Sequence, residues 1–167
     1  MSHAPGARLP TAPTTASRLT VPRSVLHATV AGLRERSAGW RESACVWIGT
    51  PVGVVERVTF HHEIADDRAT ALSLELPESA KFALYQQLAR EKRRILALLH
   101  THPDSWVDLS WIDEQNQISS RVGFLSLVLP HYGTRDWNYE EVGFHVKCDR
   151  GWRRVYGAEA IAAVQIE

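Results

Sequence analysis

Hydrophobic and polar residues follow two different periods along this chain, and the period separates predicted helices from predicted strands. Apolar residues three or four positions apart predict a first helix over residues 22–36. A proline at the first turn, leucines on one face and basic residues at the end predict a second helix over 77–94. Short apolar or alternating runs bounded by turn residues predict strands at 44–49, 54–60, 95–100, 124–130, 139–148 and 152–156, and a final short helix is expected within 158–166.

The order of these elements indicates the fold class. A helix directly precedes the predicted strand over 95–100, and this strand–helix–strand order indicates a mixed α/β sheet covered by helices. The chain has 167 residues, enough for one domain with a hydrophobic core, which we expect over residues 21–167. Residues 1–20 are rich in Ala, Pro, Thr and Ser, so we expect a disordered tail there. Because no acidic residue precedes Glu35, a transit peptide is the alternative for this tail.

The charge balance argues against two classes of partner. The 19 Lys and Arg residues are matched by 19 Asp and Glu residues, so bulk charge attracts neither nucleic acid nor an acidic membrane surface. No apolar run approaches the ~18 residues of a membrane span, and we expect a soluble, cytoplasmic protein. Cys45 and Cys148 lie in apolar or strand-like stretches, which favours buried thiols in a reducing compartment over a disulfide.

The clearest chemistry follows the apolar run over 95–99. His100 and His102 close that predicted strand, and because side chains alternate along a strand, both imidazoles lie on the same side, about 7 Å apart at Cα. Ser110 is placed as a helix N-cap, which puts Asp113 in the first helical turn, facing back towards the strand end. Two imidazole nitrogens and one carboxylate suit a catalytic zinc ion with one position left open for water.

Zinc hydrolysis also needs a base that is not itself a metal ligand. Glu42, at the opening of the predicted strand over 44–49, is the candidate. Two alternatives stay open on the residues alone. Glu42 is equally interpreted as a solvated charge beside Arg41, and Glu56, inside the next strand, competes for the role of base.

The spacing H-x-H-x7-S-x2-D, met by His100, His102, Ser110 and Asp113, resembles the motif of the JAMM (JAB1/MPN+) metalloproteases. The short chain and the sequence H-T-H-P at residues 100–103 resemble the prokaryotic JAB branch of that family. This likeness covers roughly residues 22–148.

The same family has a glutamate well upstream of the histidines, followed by an apolar run that ends in glycine, and Glu42 to Gly49 is similar. The resemblance implies a JAB/MPN domain, a cytidine-deaminase-like three-layer arrangement with a mixed, mostly antiparallel sheet flanked by helices. It also favours Glu42 over Glu56 as the base.

The resemblance further implies a zinc-dependent isopeptidase that cleaves after the glycine-ended tail of a ubiquitin-like protein. In prokaryotic members this means deconjugation or precursor maturation beside E1-like and E2-like enzymes, including antiphage defence systems. Two alternatives are a JAMM hydrolase of sulfur-carrier adducts in cofactor synthesis and a metal-free MPN scaffold. The complete ligand set argues against the scaffold.

Several residues near the motif have two interpretations. The Ser110 hydroxyl either stabilises the oxyanion of the tetrahedral intermediate or only caps the helix. Trp106 either lines a substrate groove or packs onto the core as a lid. Asp104 and Asp108 lack support as ligands from the family pattern. Consecutive residues of a strand point to opposite faces, so His61 and its neighbour His62 are interpreted as a pair without a role.

Overall fold

The computed structural model describes residues 14–65 and 76–167. The segment over 64–76, expected to be a loop with a short strand able to pair with a peptide, lies almost entirely outside the described residues. The helices are α1 (Arg23–Ser37), α2 (His61–Ile64), α3 (Glu78–Glu91), α4 (Trp111–Gln115) and α5 (Gly157–Ala163). The strands are β1 (Leu19–Val21), β2 (Ala44–Gly49), β3 (Val55–Phe60), β4 (Arg94–Thr101), β5 (Leu125–Leu129), β6 (Gly143–Lys147), β7 (Trp152–Val155) and β8 (Val164–Ile166).

Six strands form the main sheet in the order β3-β2-β4-β5-β6-β7. Every neighbouring pair is antiparallel except β4 and β5, which run parallel. The predicted fold class is confirmed: the sheet is mixed, mostly antiparallel and flanked by helices. Strands β1 and β8 form a separate parallel pair.

Strand β2 shows how the sequence builds the layers, because it is buried on both faces. Cys45 and Trp47 pack into one cluster with the apolar stripe of α1, whereas Val46 and Ile48 pack into a second cluster with α3. The Trp47 indole Nε1 donates to Thr29 Oγ1 of α1 at 2.8 Å. The sheet therefore lies between α1 and α3, and β4 carries the alternation onward to its end at Thr101.

Three predicted boundaries are wrong. The final helix, expected over 158–166, ends at Ala163, because Val164–Ile166 form β8 and pair with β1. The other two differ for local reasons. Helix α3 stops at Glu91 rather than continuing to residue 94, because Lys92 adopts a left-handed conformation (φ 55°) and its N–H bonds back to the helix. Strand β6 begins at Gly143 rather than at Tyr139, since the preceding residues form a turn in which Val142 N–H donates to Asn138 O at 3.0 Å.

The N-terminal boundary of the domain also differs from the prediction. Residues 1–13 lie outside the described residues, but two of residues 14–20, expected to belong to a disordered tail, are buried: Ala16 and Leu19. Leu19 is 2% exposed, and β1 pairs with β8. The reason is tertiary: the far C-terminal strand supplies the partner, which local composition does not reveal.

Two further expectations concern helices and thiols. The longest described helix has 15 residues, and none of the described helices has the length and apolarity of a membrane span.

Cys45 and Cys148 are free thiols, as favoured; Cys45 is buried and Cys148 is half-buried. Burial raises the pKa of Cys45 above its usual value.

Candidate metal centre

The end of β4 brings the two histidines together. His100 and His102 are each 3% exposed, and their Nε2 atoms lie 3.1 Å apart. The His102 Nδ1–H donates to the backbone carbonyl of Trp106 at 2.9 Å. With Nδ1 protonated, a neutral His102 directs the lone pair of Nε2 towards His100, which is the tautomer that a metal ligand requires.

Helix α4 supplies the carboxylate. Ser110 is the N-cap residue of α4, and its Oγ accepts the Asp113 N–H at 3.1 Å. In return the Ser110 N–H and Oγ–H both donate to Asp113 Oδ2 at 2.7 Å. This reciprocal capping box fixes the Asp113 side chain, whose Oδ1 lies 3.5 Å from His100 Nε2 and whose Oδ2 lies 3.4 Å from His102 Nε2.

The three side chains fit a tetrahedral metal ion. Ligands bound to zinc at about 2.0–2.1 Å in a tetrahedron lie roughly 3.3 Å from one another. The two Nε2 atoms lie 3.1 Å apart, and Asp113 places one carboxylate oxygen near each of them, Oδ1 at 3.5 Å from His100 and Oδ2 at 3.4 Å from His102, which are separations close to that value. Burial raises the pKa of the Asp113 carboxyl, but the neighbouring imidazoles of His100 and His102 and the hydroxyl of Ser110 outweigh burial and hold this pKa well below its usual range. Asp113 is therefore an ionised carboxylate, the form that can coordinate a metal ion.

Pairing between β2 and β4 brings Glu42 to the same place. Ala44 lies opposite His100 in this antiparallel pair, so Glu42, two residues earlier, lies level with His102. Glu42 lines one cavity with His100, His102 and Asp113. Burial raises the pKa of Glu42 above its usual value, although the two imidazoles partly oppose the shift.

A buried hydroxyl cluster holds the segment that carries Glu42. The Ser43 N–H donates to Thr101 Oγ1 at 2.9 Å, and the Ser43 Oγ–H donates to Leu33 O at 2.9 Å. Ser37 Oγ lies 2.8 Å from Ser43 Oγ and 3.2 Å from Thr101 Oγ1. Helix α1, β2 and β4 are thereby joined next to the histidines. Sequence reasoning missed these residues, because short polar residues near strand ends carry no distinctive signal.

The competing glutamate lies elsewhere. Glu56 belongs to β3, at the end of the sheet where Gly49 pairs with Arg94, opposite the end that carries His100. Its carboxylate pairs with Arg93. Glu56 therefore does not reach the cavity.

Trp106 stands beside the histidines rather than in the core. Its side chain is 50% exposed and lines the cavity, so it does not pack into the core. The indole stacks on His102 with ring centroids 5.1 Å apart and planes 13° apart. Asp104 lines the cavity as well, but its Oδ1 accepts the Trp106 N–H at 2.7 Å, so this carboxylate shapes the loop.

Asp108 is directed away from the triad towards the neighbouring strands. It pairs with Arg154 of β7, and its Oδ1 lies 3.8 Å from His145 Nε2 of β6. His61 is buried and lines the cavity, whereas His62 is exposed and accepts from Arg36 at 3.0 Å. The two neighbouring histidines thus face different surroundings.

The cavity has a volume of about 270 Å³ and extends from the triad towards α3. The rest of the lining includes a group of mostly apolar side chains and one cation, Lys81, that the sequence analysis did not single out. These residues are Leu76, Lys81, Leu98, Ile112 and Ile118. Their apolar side chains contribute to ordinary helix and strand patterns, so only the packing of α3, α4 and β4 reveals them as a binding wall.

Comparison with known proteins supports the fold. No protein-family model and no curated protein matches the chain. Protein DSY2949 from Desulfitobacterium hafniense is similar in structure, with a TM-score of 0.61 at 11% identity over 89% of this chain and 92% of that one. This likeness shows a shared fold and does not extend to activity.

Two further structures are similar at lower scores. The JAB1/MPN domain protein AF2198 from Archaeoglobus fulgidus has a TM-score of 0.47 at 14% identity, covering 81% of this chain and 94% of that one. A structure described as "JAMM: a metalloprotease-like zinc site in the proteasome and signalosome" has a TM-score of 0.48 at 12% identity, covering 90% and 98%.

Proposed function

We propose that this chain is a zinc-dependent peptidase of the JAMM kind. The observation that carries the proposal is the convergence of His100, His102 and Asp113, whose donor atoms all lie within 4.8 Å of one another. The spacing in the sequence shows only that three residues of ligand type are present, not that their donor atoms meet. Their meeting in one cavity with a carboxylate beside them is what hydrolysis needs.

The residues divide the chemistry between them. His100, His102 and Asp113 would hold the ion, which when bound polarises a carbonyl and activates water at neutral pH. Glu42 accepts the proton of the attacking water and returns it to the leaving amine. Burial raises the pKa of Glu42, which brings this carboxyl closer to the range in which a group both takes and gives protons. Trp106 orients His102 through its carbonyl and forms one wall for the substrate.

The hydrogen bonds of Ser110 favour a role in orienting Asp113 over a role as oxyanion donor. Its single hydroxyl proton is directed to Asp113 Oδ2. The contacts therefore support Ser110 as the residue that orients a metal ligand. Direct stabilisation of an oxyanion stays a prediction, which requires this hydroxyl to leave the carboxylate.

We infer a ubiquitin-like protein as the substrate, cleaved after its glycine-ended tail. The family motif supports this inference, and so does the cavity, whose volume of about 270 Å³ suits a short extended segment without large side chains. Deconjugation or precursor maturation beside E1-like and E2-like enzymes in the cytoplasm, including antiphage defence, is the setting that we propose.

Metal content tests the first part of this proposal. The purified protein should contain about one zinc ion per chain, and His100→Ala should remove it because only two ligands remain. His27→Ala is the matched control, since His27 is an exposed histidine of α1. Folded wild-type protein without zinc, even after incubation with zinc salts, would contradict the proposal and favour a scaffold.

Replacement of the base tests the second part. Glu42→Gln should keep the zinc and lower turnover at least about 100-fold, the scale of general acid–base catalysis. Glu56→Gln makes the same change at the far end of the sheet and should cleave like wild type. The assay uses a ubiquitin-like protein encoded beside the gene, fused to a reporter through its tail. Equal activities of the two variants would contradict the assignment of Glu42.

A further inference from the structure

An open groove of about 680 Å³ lies between α3, the start of β4 and residues 117–121, beside the cavity of the metal centre. The residues that define this basic groove are Lys81, Phe82, Tyr85, Arg94, Ile118 and Arg121. We propose that the basic groove binds an acidic segment of the protein substrate, outside the part of the substrate that is cleaved. This proposal rests on the peptidase function proposed above.

The positive charges of the groove are poorly compensated. Lys81 Nζ pairs with Glu78 Oε1 at 2.7 Å, so the described cations of the groove that lack a carboxylate partner are the two arginines. Arg94 and Arg121 form no ion pair with a carboxylate in the part of the chain that the structure describes. The chain as a whole is neutral, so this excess of cations is a local feature.

The two arginines are held in place by neutral groups. Arg94 donates to the carbonyl of Pro51, and Arg121 Nη1 donates to Ser17 Oγ at 3.2 Å. Arg94 Nε and Arg121 Nη2 are buried atoms that have no hydrogen-bond acceptor within residues 14–65 and 76–167. Burial, together with the neighbouring charge of Arg94, lowers the pKa of Arg121. Two guanidinium groups of like charge at one groove make an anionic partner favourable there.

The groove also offers an apolar surface. Phe82 is 64% exposed and Tyr85 is 41% exposed, one turn apart on α3. The Tyr85 hydroxyl donates to the Ile118 carbonyl, which fixes the ring against the groove floor. Exposed aromatic rings beside arginines are typical of protein interfaces. The partner that fits carries carboxylates next to apolar side chains.

Continuity with the metal centre connects the groove to the substrate. Lys81 and Ile118 line both the cavity and the groove, so the two form adjoining compartments. A protein whose tail occupies the cavity has the groove directly beside that tail. The groove is therefore placed to contact the substrate next to its cleaved segment.

A nucleic acid fits the groove less well than an acidic peptide. Among the residues that the structure describes, three cations and one carboxylate give the lining an excess of two positive charges. Affinity for nucleic acid comes mainly from the number of phosphates that Lys and Arg side chains neutralise, and an excess of about two charges neutralises few of them. The charge of the groove instead matches a few carboxylates.

Fluorescence anisotropy with defined probes tests the proposal. The probe is a short fluorescein-labelled peptide of alternating glutamate and leucine, compared with a lysine–leucine peptide and an oligouridylate of the same length. We expect the acidic peptide to bind at least about tenfold more tightly than either, and to weaken as salt is raised. Tighter binding of the oligouridylate, or equal binding of both peptides, would overturn the proposal.

Variants locate the binding. Arg121→Glu and Phe82→Ala should each weaken peptide binding at least about fivefold, because one reverses a groove charge and the other removes an exposed ring. Arg150→Glu and Ile161→Ala make comparable changes at exposed positions outside the groove and should bind like wild type. If Arg121→Glu fails to melt cooperatively, Phe82→Ala decides, since this side chain is mostly exposed. Equal effects of groove and control variants would exclude the groove.

Failure of the groove is distinguishable from failure of the peptidase. Peptide binding is measured again after chelation of metal and in Glu42→Gln, where it should be unchanged. Loss of zinc or of cleavage therefore refutes the enzyme without affecting the anisotropy result. Absence of peptide binding to a zinc-loaded, active protein refutes only the groove.

Discussion

A single hydroxyl group, that of Ser110, links the start of a helix to Asp113, the carboxylate of the candidate metal centre. It accepts the Asp113 N–H and donates to Asp113 Oδ2, so the ligand is oriented by the residue that caps its own helix. Residues that hydrogen-bond metal ligands typically contribute 10–100-fold in metal affinity. The spacing of serine and aspartate in the motif therefore has a structural reason of its own.

Ser110→Ala tests this link. Loss of the cap should lower the free energy of unfolding by about 1 kcal/mol, and zinc affinity should fall at least about tenfold. Ser110→Thr retains the hydroxyl and is the matched control. The measurements are thermal unfolding and competition with a zinc-binding dye. Wild-type zinc affinity in Ser110→Ala would show that Asp113 is positioned without the hydroxyl.

His145 makes the stability depend on pH. It is 4% exposed, and its Nδ1–H donates to Ser126 O at 3.3 Å. Burial, only partly opposed by this hydrogen bond, lowers the pKa of His145 from 6.5 to about 4. The unfolded chain therefore binds this proton at higher pH than the folded chain. The contribution of a neutral His145 is complete above pH 6.5 and is lost as pH falls towards 4.

His145→Gln should flatten this dependence. Wild type should lose about 3 kcal/mol of unfolding free energy from this group between pH 7 and 4, and the variant should not. Urea unfolding at several pH values measures the difference, with the exposed His27→Gln as control. Parallel pH profiles of wild type and His145→Gln would contradict a neutral buried imidazole.

At the scale of elements, α4 is the weakest part of the site. It has five residues, none of which is buried, and a helix this short is unstable by itself. The capping box and the contacts of Asp113 with the histidines at the end of β4 hold it in place. A metal ion shared by α4 and β4 would join a fragile element to a rigid one.

Metal removal should therefore loosen α4 selectively. After treatment with a chelator, amide hydrogen exchange over 111–116 should accelerate at least about tenfold, because local opening no longer breaks a metal–ligand bond. The amides of β4 and β5 in the sheet are the internal control and should keep their protection. Unchanged exchange in α4 on chelation would mean that Asp113 is not a ligand.

At the scale of the whole molecule, the two ends of the domain are joined. Strand β1 pairs in parallel with β8, the Arg23 N–H donates to Glu167 O at 2.7 Å, and the Glu167 N–H donates to Val21 O at 3.0 Å. Leu19 and Val164 face the same large hydrophobic cluster as α1. The packed domain therefore begins before the position suggested by composition.

Leu19→Ala tests this closure. Removal of a leucine side chain that is 2% exposed should cost about 2–4 kcal/mol of unfolding free energy. Val52→Ala, at a side chain that is 85% exposed, should change it by less than about 0.5 kcal/mol. Chemical unfolding of the three proteins gives the comparison. An unchanged free energy of unfolding in Leu19→Ala would mean that residues 14–20 do not contribute to the packed domain.

Local rules explain what the sequence by itself determined. Strand alternation places His100 and His102 on one side, and N-capping by Ser110 aims Asp113 back at them; both rules act within a few residues. The order of helices and strands predicts the fold class. The pattern of apolar and turn residues predicts most element boundaries to within a few residues.

Only the tertiary structure decided the rest, since it depends on pairing between distant segments. The register of β2 on β4 brings Glu42 level with His102 and leaves Glu56 at the far end of the sheet. Pairing of β1 with β8 draws residues 19–21 into the domain. Packing of α3 beside β4 creates the basic groove from residues up to 40 positions apart, which no local pattern reveals.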